Sequence, residues 1–372
     1  MDTQHELEEW LRPFLSLLIS ETRRSTCSHY IASLLDSGGG ALSHLAPRQE
    51  KYDRLRHFVT SGVWEHQPLC DELARQANLL VGEGRSILVV GDVESSCESA
   101  HGVGAFHPRE NTSRVTQRFV SLTLVGSKTS LPIAARLMLP GEWLADVRRL
   151  DRAEVPDVHR RPLSKAEVAL QEIDRLLSLG VNFEAVFLTG QCDHLQAFCQ
   201  SLSARELAWV VEVPSAGAVR VLDADGEDRS IAAVGLPTVR AETVHPWAMQ
   251  AGAVGEALVD CLKRVKILGS PTEPWAASER EVRSDCDALS VRLRDADGKT
   301  FDYLMNSGHD CSETLLAVLK NAINLNRQVQ TQLWTEFHLN DFEGRTWQSQ
   351  HRHMLLAMIA FAYSKHCFEL PS

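Results

Sequence analysis

Three short apolar segments constrain the fold of this chain more than any other feature. They cover residues 87–90, 185–188 and 209–213, and each has the length and composition typical of a buried strand. Helical patterns lie at 164–180, before the second segment, and at 194–203, between the second and the third. This alternation of strands and helices predicts an α/β core in which some strands pair in parallel.

The helix at 164–180 has clear signals at both ends. Ser164 is suited to cap its first turn, and Glu167 completes a capping box three residues later. Gly180 is suited to end the helix, because glycine adopts the left-handed conformation of a C-terminal cap at little cost. We therefore expect this helix to form at these positions.

The segment before residue 86 is helical in pattern. Apolar residues at three- and four-residue spacing mark core-facing stripes at 7–18, 26–35, 52–60 and 68–81. Core packing explains these stripes better than a partner-binding surface does. We expect an N-terminal helical domain over residues 1–85.

The remaining elements complete a predicted α/β architecture. Strands are expected at 118–125 and 131–139, an irregular stretch at 214–270, a hairpin at 288–306 turning at Asp297-Gly298, and helices at 312–337 and 350–362. We divide the core into a first part at 86–213, a β-rich insertion at 214–306 and C-terminal helices at 307–372.

Charge and composition limit the partners and the compartment. The chain has 38 Lys plus Arg against 49 Asp plus Glu, a net charge of −11. This balance argues against a nucleic-acid partner without excluding one, because phosphate binding depends on Lys and Arg. The start has no signal-peptide pattern, and no apolar run approaches the ~20 residues that span a bilayer. Nine cysteines without framework spacing fit reduced thiols, so we expect a cytoplasmic protein with no membrane partner.

Several segments, in the right order, are similar to those of one known family. The chain resembles the insertion-sequence transposases of the DDE superfamily endonuclease type in residues 54–65 (RLRHFVTSGVWE), 87–92 (ILVVGD), 137–143 (LMLPGEW), 153–156 (AEVP), 339–347 (LNDFEGRTW) and 351–354 (HRHM). The resemblance implies an RNase H-like α/β core, preceded by a helical domain and interrupted by the β-rich insertion. It also implies three catalytic carboxylates.

The positions that the resemblance assigns to those carboxylates hold other residues. Gly91 stands at the first, Thr189 at the second and Arg327 at the third; shifting the alignment by one residue restores only Asp92. DDE enzymes hold two divalent ions between carboxylates, and Mg²⁺ requires oxygen ligands. We therefore expect neither DNA strand transfer nor a metal or other cofactor. Residues 96–99 also read SCES where the relatives place lysines.

A first cluster of candidate catalytic residues follows the first apolar segment. On the expected strand end and loop lie Asp92, Glu94, Cys97, Glu98 and His101. Ligands usually bind at such strand ends, a carboxylate there can act as a general base, and histidine titrates near neutral pH. The alternative is a solvated loop with ordinary polar residues.

A second cluster follows the second apolar segment, with Gln191, Cys192, Asp193, His194 and Cys199. A helix N-terminus lowers the pKa of a nearby thiol, which would make Cys192 a nucleophile with His194 as its base. The alternative is that Asp193 caps the helix and Cys192 packs as a small apolar residue. A zinc site here matches no standard ligand spacing.

A third group comprises Arg327 and Gln328, which we expect to face the former active-site cleft and to bind a ligand together with Gly91 and Thr189. Arg327 is suited to hold a carboxylate or phosphate with two hydrogen bonds. The alternative is a salt bridge to a carboxylate of the first cluster.

Two functions remain open on the sequence alone. One is a degenerate transposase homologue whose cleft is repurposed for small-molecule, biosynthetic chemistry by metal-independent acid–base or cysteine catalysis. The other is a non-catalytic DNA-binding or regulatory protein derived from a transposase. The sequence predicts no oligomeric state.

Overall fold

A computed structural model describes most of the 372 residues. The described ranges are 3–36, 49–81, 86–97, 101–108, 115–127, 129–213, 220–222, 228–230, 258–267, 286–294, 300–306, 313–337, 339, 342 and 344–369.

Four helices form the N-terminal part, as the apolar stripes predict. They are α1 (Thr3–Ser16), α2 (Glu21–Asp36), α3 (Gln49–Thr60) and α4 (Gln67–Val81). Their stripes are buried, because each helix turns its apolar side chains towards the others and towards the sheet. Helix α2 begins five residues before the predicted start.

The described strands form one mixed sheet of ten strands, in the order β3-β2-β1-β4-β5-β10-β9-β8-β6-β7. The first five are β1 (Ile87–Cys97), β2 (Val115–Val125), β3 (Ser130–Met138), β4 (Ala185–Leu188) and β5 (Ala208–Val213). Strand β4 pairs in parallel with β1 and with β5, which confirms the predicted parallel pairing. The other described pairs are antiparallel.

The last five strands correct one prediction. They are β6 (Arg220–Leu222), β7 (Asp228–Ser230), β8 (Leu258–Ile267), β9 (Cys286–Arg294) and β10 (Thr300–Asn306). The predicted hairpin is confirmed by the antiparallel pairing of β9 with β10, although its turn lies outside the described residues. Residues 258–267 were expected to be irregular, and this is wrong: pairing with β9 supplies the backbone hydrogen bonds of β8.

Strand β1 is longer than its apolar segment. It pairs with β2 from Ile87 opposite Val125 to Cys97 opposite Val115. Asp92 and Glu94 therefore lie within a strand, which corrects their expected place at a strand end and loop. His101 lies in a turn, while Glu98 is outside the described residues.

Helices cover the sheet and connect its strands. They are α5 (Gly141–Leu144), α6 (Val147–Arg152), α7 (Lys165–Ser178), α8 (Leu195–Ser203), α9 (Glu313–Thr335) and α10 (Trp347–Glu369), with a short 3₁₀ turn at Asp157–His159. The capping box of α7 is confirmed. Ser164 Oγ accepts from Glu167 N at 3.2 Å, and Ser164 N donates to Glu167 Oε2 at 2.8 Å.

The two faces of the sheet bury different side chains. Val89, Phe187 and Val210 belong to a small cluster that includes Ala322 of α9. Leu88 and Leu188 belong to the large cluster that includes α7, α8 and the N-terminal helices. Because side chains alternate along a strand, a residue's position in the strand decides which face it occupies.

Helix α10 joins the N-terminal helices to the sheet. Its residues 351–363 are all buried, and it contacts α2, α3, α4 and β3. Arg352 donates to Val59 O at 3.3 Å and to Trp64 O, with its guanidinium 4.9 Å from the Trp64 ring centre. The mixed α/β arrangement is consistent with the RNase H-like core that the resemblance implies. Among the described helices, none has the length and apolarity that crossing a bilayer requires.

Candidate active-site cleft

Gly91, in the middle of β1, and Thr189, directly after β4, lie side by side. They follow Val89 and Phe187 by two residues, so both occupy the face that α9 covers. A Cβ atom built on Gly91 would lie 3.1 Å from Thr189 Oγ1 and 3.5 Å from Ser121 Oγ. Thr189 N donates to Val90 O at 2.9 Å, which extends the parallel pairing by one residue. We call the region where these positions face α9 the cleft.

Helix α9 contributes amide side chains to the cleft. Gln330 Nε2 donates to Ser121 Oγ at 3.2 Å, and Ser121 pairs with Gly91 across β1 and β2. Asn326 lies one helical turn before Gln330 on the same side of the helix. Asn326 Oδ1 and Gln330 Oε1 are buried and have no hydrogen-bond partner among the described residues.

Arg327 and Gln328 lie beside the buried face of α9 and not on it, so they are not enclosed in the cleft as expected, although the Arg327 charge still reaches Tyr303 of β10, where it opposes the burial that raises the hydroxyl pKa. Both are exposed, and they line a separate open groove of about 440 Å³ that also includes Lys365 of α10. The reason is helical periodicity: Ala322, Val329 and Leu333 fix the buried face of α9, and residues 327 and 328 fall outside it.

Asp92 lies on the opposite face from Gly91. Its carboxylate forms an ion pair with the ammonium of Lys165, the first residue of α7, which also donates to Thr189 O. The Lys165 side chain is only 9% exposed and that of Asp92 is 31% exposed. Asp92 is therefore paired beneath the strand ends and does not point into the cleft. The alternative that Asp92 pairs with Arg327 is also wrong.

Glu94 is paired at the surface. Its carboxylate accepts from Arg118 Nη2 on β2 at 2.8 Å, and both side chains are substantially exposed. Glu94 shares the strand face of Asp92, away from α9, so the alternative salt bridge to Arg327 is also wrong. His101 is exposed in its turn. The two described carboxylates of the first cluster are thus both held in ion pairs, Asp92 with Lys165 and Glu94 with Arg118.

The second cluster is not arranged for cysteine catalysis. Burial raises the pKa of Cys192 to about 12, so its thiol is protonated at neutral pH, contrary to the expected lowering. Cys192 Sγ donates to Asp193 O at 3.3 Å. The cap position of α8 is occupied by His194, with φ at 60° and no capping hydrogen bond from its side chain, so the expected cap at Asp193 is also wrong.

Cys199 is fully buried inside the same region. Burial, together with the neighbouring Cys286 thiol, raises the pKa of Cys199 well above its ordinary value. Cys199 therefore packs as a small apolar residue of α8. The alternative for this cluster assigns the same role to Cys192.

Glu212 is a carboxylate of the cleft region that the sequence did not single out. It lies on β5 two residues after Val210, on the face of α9, and its Oε2 accepts from Gly190 N at 3.3 Å. It pairs across the sheet with Tyr303, whose hydroxyl pKa is raised by burial and by Glu212. The only signal in the sequence is one acid interrupting the apolar segment at 209–213.

The cleft is thus built mainly from neutral groups that form hydrogen bonds. It offers the hydroxyls of Thr189 and Ser121, the amides of Asn326 and Gln330, and Glu212 at its edge. Within the described residues, no group of three His, Cys, Asp or Glu side chains is placed to hold a metal ion. The arrangement can orient a polar molecule, and Glu212 can accept a proton.

Residues 13–249 match the family described as DDE superfamily endonuclease. No curated protein matches the chain.

Proposed function

Since the chain belongs to the DDE superfamily endonuclease family, we propose that it is a member that no longer performs DNA strand transfer. The supporting observation is the side-by-side placement of Gly91 and Thr189 beneath the amides of α9. Two-metal phosphoryl transfer uses carboxylates to hold the ions between the attacking and leaving oxygens. A glycine, a hydroxyl and an amide supply no anionic ligand at these positions.

This proposal does not depend on which residue of α9 is aligned with the third catalytic carboxylate of the relatives. Whether the third position is Arg327, as the sequence suggests, or the sheet-facing Asn326 or Gln330, it carries no negative charge. Asp92, the only acid that a one-residue shift restores, is turned to the other face and paired with Lys165.

We place the function in binding and converting a small polar molecule in the cleft. The unpartnered carbonyl oxygens of Asn326 and Gln330 favour a ligand that donates hydrogen bonds, because buried acceptors without a partner cost free energy. Glu212 is the group of the described cleft suited to accept a proton from such a ligand. This replaces Asp92, Glu94 and Cys192 as the acid–base candidate.

The test restores the carboxylates. We expect the unmodified protein neither to nick supercoiled plasmid DNA with Mg²⁺ or Mn²⁺ nor to bind Mn²⁺ in the cleft. The triple variant Gly91→Asp, Thr189→Asp, Asn326→Glu should bind Mn²⁺, measured by electron paramagnetic resonance. The matched control Asp92→Glu changes an acid outside the cleft and should leave Mn²⁺ binding absent. Nicking by the unmodified protein that is lost in Asp92→Asn would overturn the proposal.

The groove beside Arg327 favours a second candidate, a non-catalytic DNA-binding protein. Arg327 and Lys365 place two positive charges along an open groove between α9 and α10. Phosphate binding there would make DNA affinity fall steeply with salt. Arg327→Gln should then reduce the slope of log K against log salt by about one unit, whereas the control Arg152→Gln, exposed on α6, should not.

A further inference from the structure

A cavity of about 250 Å³ lies where α4, α7 and α10 meet β3, and it shares no lining residue with the cleft. It includes none of the positions that the resemblance assigns to catalytic carboxylates, and the family match gives it no role. We call it the histidine cavity and define it by six of its lining residues, His66, Arg136, His159, Glu172, Trp347 and His351.

Four rings of the cavity are in contact in series. His66 stacks on His351 with ring centres 5.2 Å apart, His351 lies 4.3 Å from Trp347, and Trp347 stacks on His159 at 4.7 Å. A ligand in the cavity therefore meets an aromatic wall contributed by three separate parts of the chain. Such walls favour flat aromatic ligands.

The hydrogen bonds of these rings fix which nitrogen carries the proton. His66 Nδ1 donates to Gln348 Oε1 at 2.8 Å, which leaves His66 Nε2 as an acceptor. His159 Nδ1 accepts from Arg136 at 2.8 Å, because a guanidinium can only donate, so the neutral His159 ring carries its proton on Nε2. Neither Nε2 atom has a hydrogen-bond partner among the described residues.

Both ring nitrogens of His351 form hydrogen bonds within the protein. Its Nδ1 donates to Trp347 O at 2.8 Å, and its Nε2 accepts from Leu137 N at 3.4 Å. Burial lowers the pKa of all three histidines, that of His159 to about 4, so the rings are neutral at neutral pH. The three histidines therefore offer one free acceptor, His66 Nε2, and one free donor, the Nε2–H of His159.

The charges of the ionised groups around the cavity balance one another. Arg136 pairs with Glu172 at 3.4 Å, while Arg175 pairs with Glu172 at 2.9 Å and with Asp71 at 2.7 Å. Two guanidinium groups of the lining are thus matched by two carboxylates, Glu172 in the lining and Asp71 beside Arg175. A charged ligand would lose its hydration here without meeting an unpaired charge of the opposite sign.

We infer that the histidine cavity binds a small neutral heteroaromatic molecule, which donates an N–H to His66 Nε2 and accepts from His159 Nε2 through a ring nitrogen. The volume supports a ligand of one or two fused rings, because drug-sized ligands occupy roughly 300–1,000 Å³. This site is independent of the proposed function of the cleft.

Adenine is a suitable chemical probe, since it is flat, neutral and carries both a ring N–H and ring acceptors. We expect calorimetry with the full chain to show saturable adenine binding. His66→Phe keeps the ring stacked on His351 and removes the acceptor, so Kd should rise about tenfold, the loss of one hydrogen bond. The matched control His57→Phe, at an exposed position of α3, should leave Kd unchanged.

Benzoate tests the ligand class, because it is flat but negatively charged and lacks a donor. It should bind more weakly than adenine; equal or tighter binding overturns the neutral-ligand inference. Absence of adenine binding, or a Kd that His66→Phe leaves unchanged, overturns the site.

If His66→Phe does not fold, nitrogen NMR of the histidine rings in the unmodified chain decides the question. Adenine should then shift the Nε2 signals of His66 and His159 and leave that of His57 in place. Unchanged signals of His66 and His159 contradict the inference.

Discussion

At the residue scale, the central contact is the buried ammonium of Lys165 between Asp92 and the carbonyl of Thr189. It lies directly beneath the cleft and fixes the middle of β1 and the end of β4 to the start of α7. The sequence did not predict it, because Lys165 is the first residue of a helix far along the chain and its only signal is its place after the Ser164 cap.

Removing one partner of this pair should be costly. Asp92→Asn leaves the Lys165 ammonium buried without its counter-charge, and we expect a loss of about 3 kcal/mol in the free energy of unfolding. Lys165→Met leaves a partly exposed carboxylate and should cost less. Urea unfolding measures both, with Glu94→Gln as the control for an exposed pair, at about 1 kcal/mol or below. A loss in Asp92→Asn no larger than in this control contradicts the assignment.

The half-buried His159 predicts a pH dependence of stability. Burial, helped by the Arg136 guanidinium, lowers the pKa of His159 from 6.5 to about 4. Below pH 6.5, His159 binds a proton in the unfolded chain but stays neutral in the folded one. The free energy of unfolding therefore falls as the pH drops towards 4, and below that pH this contribution changes no further. His159→Gln should lose less stability than the unmodified chain between these pH values. Parallel curves from urea unfolding would refute the role of His159.

The positions of Gly91, Thr189 and Arg327 show how far the sequence predicts the geometry of the candidate site. Gly91 and Thr189 lie side by side because the apolar segments before them pair as neighbouring strands, while their binding of a ligand stays a prediction. The resemblance misplaced Arg327 because one residue along a helix rotates a side chain by about 100°. Local pattern does not resolve such a rotation when amides such as Asn326 occupy the buried face.

At the element scale, the elements with strong end signals were predicted best. Ser164, Glu167 and Gly180 fixed α7, whereas β1 was cut short because its second half alternates polar side chains along an antiparallel partner. Strand β8 was missed for a related reason: pairing with β9 stabilises it, and that contact between distant segments leaves no local pattern.

The capping box of α7 gives a prediction for this element. Ser164→Ala removes the acceptor for Glu167 N and should lower the free energy of unfolding by about 1 kcal/mol. Ser178→Ala, in the last turn of the same helix, is the matched control and should change it by less than about 0.5 kcal/mol. Thermal and urea unfolding both report the difference; equal effects of the two substitutions would argue against a capping role.

At the scale of the whole molecule, α10 makes the N-terminal helices and the sheet share one buried cluster. Tyr30 Oη and His353 Nδ1 are 2.8 Å apart, and the large core includes Leu11, Leu88 and Phe361. The sequence predicted helices on both sides of this junction but not their common core, because it depends on contacts between the two ends of the chain.

We therefore expect the two parts to open together. In native-state hydrogen exchange, backbone amides of α2, β1 and residues 354–362 of α10 should exchange with similar free energies, near that of global unfolding. The first turn of α1 serves as the control and should exchange much faster. Exchange from α2 at a free energy well below that of β1 would show that the N-terminal helices unfold on their own.

The close approach of position 91 to Thr189 bears on the evolutionary history of the chain. A side chain introduced at Gly91 meets the threonine hydroxyl at 3.1 Å, so an aspartate appearing there alone must displace its neighbour by a few tenths of an ångström. It would also stand without a second anion. Under the proposed function, one restored carboxylate would therefore give no two-metal site, because the neighbouring positions would still supply a hydroxyl and an amide.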